Sequence, residues 1–203
     1  MTSKRIRRSP ETARATLLEA AERALDDAEH DGLTVAAVTA HANMTRSAFY
    51  HYFSGVDELV LTLLEGYEQE IREAVNPWLE GNQDMEDYRA ATTQYLSDMY
   101  VVMQSHRNTL RAVLRAASTS RGVWDQWQTR AIDYFVELTR EFIEQQVALG
   151  RSQVKDPERV ARALILMNNG VWVDNTRREN PDDAMSIGRT VGGIWNTVIY
   201  GPA

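Results

Sequence analysis

Apolar residues recur three and four positions apart through nearly all of the 203-residue chain, and nowhere in sustained alternation. That period belongs to helices with one buried face, and its persistence leaves little room for strands. No turn dipeptide sits between two alternating runs, so hairpins are not signalled. The chain reads as an all-α protein of about nine helices.

The breaks divide it. Ser9 can cap a first helix, Pro10 fits its first position, and Glu11 suits the positive end of its dipole. Leu17, Leu18, Ala21, Ala24, Leu25 and Ala28 then repeat at helical spacing until Asp31-Gly32. Two short helices follow, Thr34 to about Ala42 and Thr45 to about Phe53, separated by Asn43-Met44. Ser54-Gly55 breaks again. A long helix from about Asp57 is expected to stop at Val75, because the residue before Pro77 resists the α region. Further helices are expected near 84–104, 106–117, 121–149, 157–177 and 183–200. The domains expected are a three-helix head, 1–55, and a helical body, 56–203.

Charge is unevenly spread. Residues 1–55 hold seven basic and seven acidic side chains, so the whole net charge of −7 lies in the remainder. Lys4, Arg5, Arg7 and Arg8 crowd the first eight residues. Such an arm suits phosphates or a minor groove, or is simply disordered. No apolar run approaches about 18 residues, so no membrane span is expected. The N-terminus lacks an apolar core behind its charges, so no secretory signal is expected, and a cytoplasmic location is the default. Cysteine is absent, which removes disulfides, thiolate metal sites and cysteine nucleophiles together.

The informative stretch is 33–53, Leu-Thr-Val-Ala-Ala-Val-Thr-Ala-His-Ala-Asn-Met-Thr-Arg-Ser-Ala-Phe-Tyr-His-Tyr-Phe. Val35, Val38 and Ala42 give the first short helix an apolar face. Asn43 falls at a tight turn, where a positive φ suits Asn better than most residues. Met44 plugs the angle. On the second helix Ala48, Phe49 and Phe53 can face inward, leaving Arg46, Ser47, Tyr50 and His51 outside. Two short helices crossing at a tight turn form a helix-turn-helix, whose second helix fits a major groove. Thr34 and Thr45 bring hydroxyls and helix N-termini toward phosphate. Arg46 can meet guanine or phosphate, and Tyr50 and Tyr52 offer hydroxyls. By spacing alone, the same residues also suit an ordinary bundle.

The order Thr-Val-Ala-Ala-Val, then Asn-Met-Thr-Arg-Ser-Ala-Phe-Tyr-His-Tyr-Phe, then Asp57-Glu58-Leu59, strongly resembles the TetR family of repressors over about residues 10–65. There are two departures. Asn43 stands where the family usually has Gly. Ser54-Gly55-Val56 stands where it usually has Pro-Ser-Lys, so a phosphate contact is expected to be missing and helix four to be less well capped.

Farther on, Ala163–Asn168, the segment Ile194–Gly201, Ser105-His106 and Trp124–Trp127 resemble the EthR-like subgroup. The resemblance implies a homodimer built on the last two helices. Val160, Leu164, Met167 and Val171 form one apolar stripe, and Ile187, Val191, Ile194 and Val198 another. Both could equally bury within one subunit. Gly188, Gly192 and Gly193 inside the final helix each cost about 0.8–1 kcal/mol against Ala, which close helix approach can offset. A twofold pair of heads would read a palindromic operator at half-sites about 34–36 Å apart.

The body is rich in Trp, Tyr and Met, which suits either a packed core or a cavity for a small hydrophobic ligand. The resemblance implies a pocket lined by Thr92, Met99, Met103, Trp127, Tyr134, Asn168 and Trp195, with Asn168 as polar anchor. Ligand binding would then shift the population toward a state that releases the operator. Other readings are a DNA-binding regulator under a protein partner or no control, and a helical module that has lost DNA binding. Catalysis has no support: the four histidines are scattered, and no nucleophile elbow, phosphate loop or His-Glu metal spacing occurs. No cofactor or metal is implied.

Overall fold

The computed structural model describes residues 9–27, 33–81 and 87–202, with side chains omitted for 75–81. The expected basic arm, Lys4, Arg5, Arg7 and Arg8, lies outside the described residues. Among those described there are ten α-helices, one π-helical turn and no strand. They are α1 (Pro10–Asp27), α2 (Val35–Ala42), α3 (Arg46–Tyr52), α4 (Val56–Gly81), α5 (Tyr88–Ser105), α6 (Arg107–Thr119), α7 (Arg121–Trp127), α8 (Tyr134–Ala148), α9 (Pro157–Arg177) and α10 (Ala184–Tyr200). The π turn, Gln128–Asp133, joins α7 to α8, so these run on as one rod and the helical rods number nine among the described residues.

The local signals explain the ends. Ser9 Oγ accepts from the Thr12 N–H at 3.2 Å, and Asp156 and Asp183 cap α9 and α10 in the same way. One expected boundary is corrected. Helix α4 does not stop before Pro77 but continues to Gly81. A proline inside a helix forgoes one intrahelical hydrogen bond, and α4 tolerates that loss.

The chain forms two compact units: residues up to Glu65 with Asn108–Val123, and Gly66–Arg107 with Trp124 onward. The core of the first unit gathers Leu17, Ala20, Ala21 and Leu25 of α1, Val35, Val38 and Ala42 of α2, then Phe49 and Phe53. Leu59 and Leu63 of α4 belong to the same cluster, and Ala112 of α6 packs against it. This apolar cluster therefore runs past the sequence boundary near residue 55.

In the second unit α10 lies along α5, and α8 along α9. The glycines of α10 explain the first pairing. A Cβ on Gly188 would sit 2.3 Å from Ser97 Cα, and one on Gly192 would sit 2.8 Å from Thr93 Cα. The close approach is thus to α5 of the same subunit. Gly193 meets nothing within 4 Å.

Candidate nucleic-acid interface and body site

The turn between α2 and α3 is built by backbone bonds. Asn43 has φ 49° and ψ 50°, in the left-handed region. Its N–H donates to Ala40 O at 3.2 Å, and the Met44 N–H donates to Thr39 O at 3.0 Å. This pair of bonds ends a helix at a left-handed residue, and Asn accepts that conformation at lower cost than most side chains. Thr45 then caps α3, its oxygen accepting from the Ala48 N–H at 3.1 Å, as Thr34 does for Ala37 on α2.

These caps fix which face of α3 is inside. Phe49 is fully buried, its ring 5.8 Å from that of Phe53. Thr34, Thr45, Arg46, Ser47 and His51 are exposed, and Tyr52 is half-buried. Tyr50 is 54% exposed although its ring meets Phe49 edge-on at 5.4 Å.

Two features of the head have little sequence signal. Arg14 of α1 donates to Thr62 Oγ1 at 3.1 Å, and its guanidinium lies 4.9 Å from the Phe53 ring centre, tying α1 to the end of α3 and to α4. Glu58 reaches back from α4 to Ser54, accepting from its N–H at 2.7 Å and its hydroxyl at 2.8 Å. Those bonds, the backbone one foremost, hold the Glu58 carboxyl below its usual range. The entry to α4 is therefore braced by a contact from Glu58 back to Ser54, ahead of the helix, which is not a cap on the helix's own first N–H groups. A Glu four residues after a Ser was the available signal.

In the body unit, Thr92, Met99, Met103, Trp127, Asn168 and Trp195 are buried and Tyr134 is half-buried. Asn168 and Trp195 are joined directly: the indole Nε1–H donates to Asn168 Oδ1 at 3.1 Å. Tyr100 donates its hydroxyl to the Asn168 backbone oxygen at 3.2 Å. Asn168 Nδ2 has no partner. Thr92 donates to Tyr88 O at 2.9 Å, and the Tyr95 hydroxyl lies 3.9 Å from Met99 Sδ. Burial pushes the Tyr95 and Tyr100 phenols well above their ordinary range, so both stay neutral. Trp124, by contrast, is exposed.

A charged cluster lies beside these residues. Glu68, nearly buried, approaches Arg72 at 3.8 Å and Arg130 of the π turn at 3.9 Å. The Arg72 guanidinium stands 4.6 Å from the Tyr134 ring centre. The i,i+4 spacing of Glu68 and Arg72 was legible; the widened turn that brings Arg130 in was not.

The two apolar stripes divide differently from expectation. Leu164, Ile187 and Val191 are buried within their own subunit, because α10 turns its glycine face to α5 and carries Ile187 and Val191 inward with it. Val160, Met167 and Val171 are half-buried. Ile194 and Val198 stay exposed at 41% and 42%, and Leu166 of α9 joins them at 46%.

Comparison with known proteins gives two family matches. Residues 17–63 match the model described as bacterial regulatory proteins of the tetR family. Residues 92–201 match the C-terminal domain of the transcriptional regulator EthR. The HTH-type transcriptional regulator EthR of Mycobacterium tuberculosis (strain ATCC 25618 / H37Rv) is 26% identical over 187 residues, covering 91% of this chain and 86% of that protein. Among solved structures, a TetR-family regulator from Mesorhizobium loti has a TM-score of 0.69 at 12% identity, covering 94% of this chain and 98% of its own. A TetR transcription regulator from Haloarcula marismortui has 0.69 at 17%, covering 91% and 96%. These two likenesses speak for the fold.

Proposed function

Since the chain belongs to the TetR family of DNA-binding transcriptional regulators, with a C-terminal domain of the EthR type, we propose that it is a repressor released from a palindromic operator by a small hydrophobic ligand. The family is one of regulators, a non-enzymatic class. The observation that carries the DNA half is the exposed face of α3. Arg46, Ser47, Tyr50 and His51 project from a helix whose other side, through Phe49, closes the head core. Phosphate contacts would come from Thr34, Thr45 and the hydroxyls of Tyr50 and Tyr52, with Arg46 meeting guanine or phosphate and Ser47 and His51 beside it on the same face. The arm, Lys4, Arg5, Arg7 and Arg8, would add charge to a head that is otherwise short of it.

The dimer half rests on the outer faces of α9 and α10. Leu166, Ile194 and Val198 are apolar and exposed, and a Cβ on Gly193, next to Ile194 in α10, would meet nothing within 4 Å, which leaves room for a second copy. The domain roles follow: the head reads DNA, and the remainder binds ligand and pairs. Among the described residues no helix is long and apolar enough to cross a membrane, and a cytoplasmic site of action fits that.

The ligand half rests on Asn168. One side of its carboxamide fixes Trp195, and the other, Nδ2, is buried with no hydrogen-bond partner in the chain. A ligand acts only if it prefers the operator-incompetent state.

Two measurements test this reading. Selection from random duplex DNA should enrich an inverted repeat, and selection with no enriched motif would remove the DNA assignment. Anisotropy of the selected duplex, titrated with a panel of apolar compounds, should show release by at least one. Unchanged affinity across the panel would leave a regulator without ligand control.

A further inference from the structure

Among the described residues three carboxamides are buried in the body unit, and they differ in what they bond. Asn175 is satisfied at both ends: its Nδ2 donates to Asp182 O at 3.2 Å, and its Oδ1 accepts from the Asp182 N–H at 2.8 Å. Asn168 is satisfied at one end, by Trp195. Gln146 is satisfied at neither: it is 0% exposed, and both Oε1 and Nε2 lack a partner.

Gln146 is not a frayed end. It sits on the buried face of α8 with Val136, Thr139, Phe142 and Ile143. Its backbone oxygen accepts from the Arg151 N–H at 2.9 Å and the Ser152 N–H at 3.2 Å, which closes the helix and holds the residue in place. Leu or Met would fill such a position without penalty. A buried polar group left unpaired is destabilising, and here two atoms of one side chain are so placed.

We propose that the Gln146 carboxamide is a second polar seat for the ligand of the body, and that it takes a neutral amide head on an apolar tail. The chemistry selects the head. Gln146 presents a donor and an acceptor side by side, and an amide returns an acceptor and a donor. An ionised carboxylate only accepts, so it would leave Oε1 facing another acceptor, and it would bury an unpaired charge. This proposal rests on the reading of the body as ligand-binding.

The test uses the full chain, two probes and one variant. Titration calorimetry of the wild type should show dodecanamide binding at least about tenfold more tightly than dodecanoate. Gln146→Met should erase that preference, and its ligand-free form should melt higher than wild type. The proposal is overturned if wild type does not prefer the amide, or if Gln146→Met keeps the preference. It is equally overturned if Gln146→Met melts lower or fails to fold, since Gln146 would then have a partner inside the fold. If neither probe binds the wild type, the ligand-binding reading of the body falls first and takes this one with it.

Discussion

Gly188 of α10 lies against Ser97 of α5 with no room for a side chain: a Cβ at Gly188 would come within 2.3 Å of Ser97 Cα and 2.7 Å of Ser97 Oγ. The obstacle is backbone, so it cannot swing aside. Gly188→Ala should therefore lower stability by about 1–3 kcal/mol or more, the usual range for overpacking. Gly66→Ala, inside α4, meets nothing within 4 Å and gains up to about 1 kcal/mol of helix propensity. Thermal melts of the two variants should move in opposite directions, and equal melting would refute the helix contact.

Phe49 and Tyr50 are neighbours with opposite duties. Tyr50→Ala should change stability by no more than about 0.5 kcal/mol, as exposed positions do, while weakening operator binding by about tenfold or more. Phe49→Ala should cost about 3–5 kcal/mol by emptying the head core. Anisotropy beside circular dichroism separates the two effects. A Tyr50→Ala protein with undiminished operator affinity would unseat α3 as the reading helix.

The brace at the start of α4 is pH-dependent. Ser54 lowers the Glu58 carboxyl in the folded state, so the folded protein holds this proton less readily than the unfolded chain. Its contribution is present above the ordinary carboxylate range and is lost as pH falls through the depressed value. Glu58 is nearly fully solvated, so the effect is small. Glu58→Gln should lower the melting temperature at neutral pH and converge on wild type once the pH has fallen through the depressed value. A constant difference across that range would show that ionisation of Glu58 is irrelevant.

Much of this was readable from residue order. Caps at Ser9, Thr34 and Thr45, and the left-handed turn at Asn43, are local events decided by a few adjacent atoms. Periodicity also said which residues of each helix are hidden. It did not say what hides them. Val191 and Ile194 lie three residues apart on one apolar stripe, yet α5 covers the first and leaves the second in solvent. The π turn at Gln128–Asp133 and the unbroken passage of α4 through Pro77 left no local signal in the residue order.

That division makes a prediction about assembly. Ile194→Asp and Val198→Asp place charge on a face with no intramolecular cover, so each subunit should keep its fold. If two copies meet there, sedimentation should show monomers, and operator affinity should fall with loss of the second head. Dimers that persist in the double variant would move the interface elsewhere.

The membership of α6 in the head unit has a consequence for how this protein can be divided. Ala112 seals a cluster whose other members end at Leu63, so no single cut yields a complete reading head. A fragment ending at Glu65 would lack its last wall. A chimera that exchanges heads between relatives must carry α6 along with α1–α3. During synthesis, too, that wall is added only after α5 has been made.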